Sequence, residues 1–248
     1  MIFIKSESEI KLMREAGKIV GNLLLEIEKL IKPGVKTIEL DKFAEEFIRK
    51  YGAIPSFKGY KGYPSTLCTC VNESIVHEIP SKKIIKEGDI IGIDVGVCFK
   101  GYHADGAKTF PVGEVSKLKR RLIEAAREAL KNAIKMAKEG NRVLDISHAI
   151  ERTAKKYGFS PAKDYTGHGI GRALHEDPPI PTYGPPGKGP LLRHGMTLAI
   201  EAMINAGTGE SKTLRDGWTA VTKDGKPSAL FEHTIVIRGD NPEILTLP

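Results

Sequence analysis

The chain has 248 residues, enough for one large domain or two small ones with a sizeable core. Its net charge of +7 suits an acidic partner such as a ribosome surface, but basic runs such as Lys117 to Arg121 are short, so nucleic-acid binding is not expected as the main function. Three cysteines without a CxxC pair, no secretory leader and no apolar run of membrane-spanning length point to a soluble protein of the reducing cytoplasm.

In chain order, Ser6-Glu7-Ser8-Glu9 forms a capping box, and Ile10, Met13, Val20, Leu24, Ile27 and Ile31 recur at helical spacing. A helix is predicted over about 7–31, ended by Pro33-Gly34. A second fits 38–51, with Leu40, Phe43, Ala44, Phe47 and Ile48 on one side and Gly52 at its C-terminal end. Residues 57–70 are rich in turns and aromatics and lead into a short strand near 67–71. His77 follows, three residues before Pro80.

The stretch Ile90 to Phe99 organises the chain. Alternation puts Ile91, Ile93, Val95, Val97 and Phe99 on one face and Gly92, Asp94, Gly96 and Cys98 on the other, the period of a half-buried strand. A turn at 99–101 would fold the next segment back antiparallel, bringing Asp105 to within about 5 to 8 Å of Asp94. Carboxylates that close repel unless protonated or bridged by cations.

Further helices are predicted over about 116–139 and 143–157, the latter stopped by Gly158. The remainder is loop and strand: Gly167-His168-Gly169-Ile170-Gly171, Leu174-His175-Glu176, a Pro/Gly-rich connection, then strands near 196–204, 218–222 and 228–238.

An internal repeat runs through this order. Shifted by 106 residues, Ile31 to Pro55 matches Ala137 to Pro161, aligning Lys32, Gly34, Glu45, Lys50, Tyr51, Gly52 and Pro55 with identical residues. At a shift of 107 Asp94 falls on Glu201, and at a shift of 98 His77-Glu78 falls on His175-Glu176. Each half therefore offers a histidine and a strand-borne carboxylate. One domain is expected, 1–248, with halves of roughly 1–112 and 113–248 meeting about a pseudo-twofold axis and a site between them.

Glu201 and Glu232 also sit inside apolar strands. With Asp94 and Asp105 they make four acids that could not be buried without countercharge. Two divalent cations would neutralise them, with His168 as the best candidate imidazole, since flanking glycines let the backbone come close. Oxygen-rich donors with one nitrogen suit Co, Mn, Fe or Zn. A nucleotide-binding loop fits poorly, because the spacing is GxGxG and no helix pattern follows.

Taken together, Asn72 to Pro80, Ile93 to Gly96, Tyr102 to Asp105, Gly167 to Gly171, His175-Glu176, Ile200-Glu201 and Phe231 to Thr234 resemble the type I methionine aminopeptidases over nearly the whole chain. The resemblance implies an α+β pita-bread fold, shared with prolidases and creatinase: two pseudo-twofold-related halves with a curved, mostly antiparallel sheet covered by helices. It implies Asp94, Asp105, His168, Glu201 and Glu232 as ligands of a dinuclear site, with Asp105 and Glu232 bridging. His77 and His175 become uncoordinated histidines at the scissile peptide, and Glu201 a proton shuttle. Phe57, Tyr60, Tyr63, Cys68, Leu174 and Trp218 would line a pocket for the first side chain, where a thioether packs well against rings. Asn72, Ser74 and Ser228 match positions that bind a monovalent cation in relatives.

Family members commonly carry Cys at Phe57, His at Lys61, Phe at Leu174 and Pro at Ala202, so the pocket's width and its tolerance for following residues are expected to differ. The implied activity is removal of the initiator methionine from nascent chains with a small second residue, by a monomer able to contact the ribosome. The alternatives are an Xaa-Pro peptidase of the same fold and a non-catalytic peptide-binding or ribosome-binding member.

Overall fold

The computed structural model describes residues 1–248. Helix α1 (Glu7–Leu30) begins at the predicted capping box: the Glu9 carboxylate accepts the Ser6 N–H at 2.9 Å, and Ser6 Oγ accepts the Glu9 N–H at 3.4 Å. Next come α2 (Thr37–Lys50), β1 (Ile54–Pro55), a 3₁₀ turn (Tyr60–Gly62), β2 (Leu67–Val71), β3 (Ser74–Val76), β4 (Ile90–Phe99) and β5 (Tyr102–Pro111). The second part holds α3 (Lys117–Met136), α4 (Val143–Lys156), β6 (Ser160–Pro161), β7 (Thr166–Gly169), β8 (Glu176–Pro181) and β9 (Thr197–Asn205). It ends with β10 (Ser211–Thr213), β11 (Ala220–Thr222), β12 (Ser228–Val236) and β13 (Glu243–Ile244). All four helices start and stop within three residues of the predicted limits.

A ten-stranded sheet runs β1-β4-β5-β12-β9-β7-β8, with β2 added to β4, β6 to β9 and β13 to β12, every pair antiparallel. Strands β10, β11 and β3 form a second, smaller sheet. The β4–β5 hairpin turns at Lys100-Gly101, both with positive φ (49° and 81°), the conformation that a two-residue hairpin requires. Two large apolar clusters lie beneath the helices. One joins α1 and α2 to β4 and β5, and the other joins α3 and α4 to β9 and β12.

The sequence repeat has a structural counterpart. The bridge Lys36↔Ile84 is matched by Arg142↔Leu191, and the pair Ile54↔Cys98 by Ser160↔Asn205, each position displaced by 106 or 107. Both short helices are capped alike: the Glu39 and Asp145 carboxylates accept the backbone N–H three residues earlier, at 3.1 and 2.7 Å.

Strand β4 departs from expectation, being buried on both faces rather than half-buried. Its apolar face packs in the α1/α2 core, while the small-residue face is roofed by distant chain, with the Phe57 ring and Ser56 pressed against Gly96. Any side chain there would collide with the ring, which is why a glycine follows Asp94 at that spacing.

Candidate metal centre and substrate cavity

Strand register assembles the acids. Asp94 on β4 faces Ala107 on β5, Ala107 faces Glu232 on β12, and Glu232 faces Glu201 on β9, making one row across four adjacent strands. Directly opposed residues share a face of the sheet, so the three carboxylates of the row point the same way. Asp105 lies two residues from Ala107, and His168 faces Ala199, two residues from Glu201. With a strand period of two, both project to that same face. Five predicted ligands from five strands thus converge.

Ligand atoms of Asp105, His168 and Glu232 all lie within 4.8 Å of one another, and His168 Nε2 is 3.7 Å from Glu201 Oε1. Asp94 and Asp105 are close enough to perturb each other's titration. Asp94, Asp105, His168 and Glu232 are buried, while Glu201 keeps a small exposed fraction. Burial, reinforced by the neighbouring acids, pushes Asp94, Glu201 and Glu232 well above the usual carboxylate range, and burial raises Asp105 to about 7. His168 is driven the other way by burial, to about 4, so its imidazole is neutral and free to donate a lone pair.

Buried oxygens test whether these residues fit metal ions. Asp94 Oδ1, Asp105 Oδ1 and Glu232 Oε1 have no hydrogen-bond partner, although buried polar atoms are nearly always paired. Three such atoms on one acid cluster, beside a neutral imidazole, are the donor set of a site for divalent cations.

Local sequence holds the donors still. A side chain at Gly167 or Gly169 would place its first carbon 2.5 Å from the Ala199 carbonyl oxygen or 2.0 Å from that of Asp177, so the backbone around His168 packs closer than any other residue allows. Thr234, which sequence reasoning passed over, clasps Asp105: its hydroxyl accepts the Asp105 N–H and donates to the Asp105 carbonyl, both at 2.8 Å. Alternation from Glu232 puts Thr234 on the site face, the signal that marks it.

Above the acids opens a cavity of about 290 Å³ lined by Phe57, Tyr60, Tyr63, Cys68, Leu174 and Trp218, and also by His77, His175, Lys61 and Val76. All six residues expected in a pocket line it, together with Lys61, one of the departures expected to alter the pocket, and Val76, which no sequence signal marks. Tyr63 meets Trp218 edge-on with ring centres 5.1 Å apart, and Cys68, directly opposite Asp94, is kept a neutral thiol by burial and that carboxylate. His77 has left-handed backbone (φ 61°) and packs edge-on against Tyr165 and Trp218, with centres 5.6 and 6.5 Å away. A strained non-glycine residue at a cavity wall is characteristic of a functional position. His175 stacks on Tyr60 at 5.1 Å, its Nδ1 2.9 Å from the Tyr60 hydroxyl, and its ring centre is 4.2 Å from that of His168. The two histidines of the repeat therefore flank the acids in one cavity.

The turn at Asn72 is arranged differently from the acid cluster. Its carbonyl accepts the Ser228 N–H at 2.8 Å, while the Lys119 ammonium donates to Asn72 Oδ1 and to the Gly88 carbonyl, both at 2.7 Å. A positive charge from the chain itself thus bonds the Asn72 side chain.

The profile of metallopeptidase family M24 matches residues 11–239. Methionine aminopeptidase 1 of Bacillus subtilis is 52% identical over 246 residues, covering 99% of both chains. The methionine aminopeptidase of Clostridium acetobutylicum is 50% identical over 248 residues, covering all of this chain and 99% of its own. The crystal structure of methionine aminopeptidase from Thermotoga maritima superposes with a TM-score of 0.99 at 48% identity, with complete coverage of both chains. Strand register, unpartnered acids and relatives matched end to end agree: the chain belongs to metallopeptidase family M24, on its methionine aminopeptidase branch.

Proposed function

We propose that this chain removes the N-terminal methionine from peptides and nascent proteins whose second residue is small, in the cytoplasm and with two divalent cations. The observation that carries this reading is the buried cluster of carboxylates, three of them with an unpartnered oxygen, forming the floor of an aromatic- and thiol-lined cavity. The whole chain acts as one catalytic domain, with halves of roughly 1–112 and 113–248 supplying Asp94 and Asp105, and His168, Glu201 and Glu232, respectively. The cation is Co, Mn, Fe or Zn, since oxygen and imidazole donors accept each. A monovalent cation near Asn72, Ser74 and Ser228 is proposed beside the divalent ions, next to the turn whose Asn72 side chain Lys119 bonds. The +7 charge supports a contact with the ribosome surface.

Held by these five residues, divalent cations would supply an acidified water and polarisation of the scissile carbonyl. The chain's own groups do the rest. Phe57, Tyr63, Cys68 and Trp218 enclose the thioether and exclude water. Glu201, the donor that retains some exposure, takes the proton released by the attacking water and passes it to the departing amine. His175 faces the growing oxyanion; its Nδ1 is paired with the Tyr60 hydroxyl, and in the tautomer whose Nδ1 accepts from that hydroxyl, Nε2 carries the N–H that can donate. His77, fixed between Tyr165 and Trp218, holds the amide nitrogen.

The test is hydrolysis of Met-Ala-Ser against Xaa-Pro peptides with Mn²⁺ added. Release of free methionine with the Xaa-Pro bond untouched is expected. Preference for the proline bond would move the assignment to an Xaa-Pro peptidase, and a loaded protein inert on every N-terminal Met peptide would leave a binding role.

The electrostatics give a second expectation. Each site carboxyl has a folded pKa above its unfolded value, so its contribution to stability is whole below about pH 4 and is lost as pH rises through the folded value, about 7 for Asp105. His168 is neutral throughout the range from pH 6 to 8 in the folded chain. A divalent cation therefore competes with protons at pH 6 and much less at pH 8. Scanning calorimetry should show a larger Mn²⁺-induced rise in melting temperature at pH 8 than at pH 6; equal rises would mean that the acids do not hold the ion.

A further inference from the structure

The loop from Phe57 to Tyr63 carries two lysines with different fates. Lys58 is held by Glu45 at 2.6 Å, on the outside of the molecule. Lys61 lines the cavity and has no carboxylate partner; its ammonium lies 5.4 Å from the centre of the Tyr60 ring. Tyr60 in turn bonds and stacks on His175, so this ammonium stands beside the histidine assigned to the reacting peptide. The loop fixes it there. Gly59 and Gly62 both have φ of 88°, and Lys61 itself is left-handed at 48°, in a turn closed by the Tyr63 N–H donating to the Tyr60 carbonyl at 2.9 Å.

Every other charged group lining the cavity is an acid at its floor: Asp94, Asp105, Glu201 and Glu232. Divalent cations would neutralise those, which leaves Lys61 as the uncompensated charge at the mouth. A peptide with its first side chain in the pocket and its scissile bond over the acids must lead its following residues out past this rim. Successive residues of an extended chain advance about 3.3 to 3.6 Å each, and a lysine side chain spans more than one such step, so its ammonium can meet a residue beyond the small second one.

We propose that Lys61 is a specificity-determining residue that favours substrates with an acidic side chain at the third position and disfavours basic ones. The proposal rests on the aminopeptidase reading above. An ion pair at an exposed rim is worth a few-fold in rate, and it fades as salt screens it.

The experiment compares kcat/KM for Met-Ala-Asp, Met-Ala-Ala and Met-Ala-Lys amides with the Mn²⁺-loaded enzyme at low and high ionic strength. The expected result is a preference of a few-fold for Asp over Lys that shrinks at high salt. Lys61→Glu should invert the order, and Lys61→Asn, a residue that tolerates left-handed backbone, should bring the ratio close to one. Lys58→Glu changes the charge of the same loop by the same amount and should leave the preference standing. An Asp/Lys ratio equal in wild type and Lys61→Glu, or moved as far by Lys58→Glu, overturns the proposal while leaving methionine removal intact. Failure to cleave all three peptides would overturn both.

Discussion

Asp105→Asn should lower kcat/KM for Met-Ala-Ser by about 10³-fold or more while raising the melting temperature of the metal-free protein. The loss follows from the charge that Asp105 contributes to the proposed ion pair: cation chemistry of this kind supplies several kcal/mol, and each 1.36 kcal/mol is tenfold in rate. The gain follows from the same carboxylate seen without ions. Asp105 is buried beside Asp94 with an unpartnered Oδ1 and raises the pKa of every other acid in the cluster, so an uncharged side chain of equal size relieves the repulsion. Neutralising a buried charge that has no countercharge removes both its desolvation cost and its repulsion, which sets the sign of the change. Steady-state kinetics and calorimetry on one preparation read both signs. A variant that kept its activity would remove Asp105 from the reaction centre, and a variant that unfolded earlier would mean that the carboxylate serves the fold.

His175→Ala should lower kcat by about 10² to 10³-fold, the usual cost of removing one donor to a developing oxyanion, with little change in KM because the contact strengthens only in the transition state. The proposed pocket for the first side chain is made by Phe57, Tyr63, Cys68 and Trp218 rather than by the imidazole. Tyr60→Phe should give a smaller fall of the same kind, since the ring still stacks on His175 but the hydrogen bond to Nδ1 is lost. Titration of initial rate against Met-Ala-Ser separates the two constants. A rise in KM at unchanged kcat would make His175 a binding residue instead.

Much of this site was legible before the structure because it lies on strands, where a period of two converts position into direction. The alternation in Ile90 to Phe99 identifies the face of Asp94, and the shift of 107 to Glu201 identifies its counterpart. The glycines beside His168 signal close backbone approach, and Ala199 and Asp177 supply it. What stayed hidden depends on contacts between segments distant in sequence. The roof over β4 comes from Ser56 and Phe57, some 40 residues earlier, so no local pattern could show that both faces are covered. The roles of Thr234 and Lys119 depend on partners more than 25 residues away, and β8 carries too many prolines to look like a strand. Lys61 stands out in the sequence only as a departure from the family's usual His; exposed lysines are common, and only the cavity reveals that this one has no counterion.

The row Asp94, Ala107, Glu232, Glu201 has a further implication. Its outer members correspond under the repeat, so Ala107 and Glu232 are twins by position although one ends in a methyl and the other in a carboxylate. In a homodimer of half-length chains, every substitution would appear on both sides of the axis, and a row with one empty place could not arise. Joining two such halves in a single polypeptide permits this inequality, because each position can then change without its counterpart.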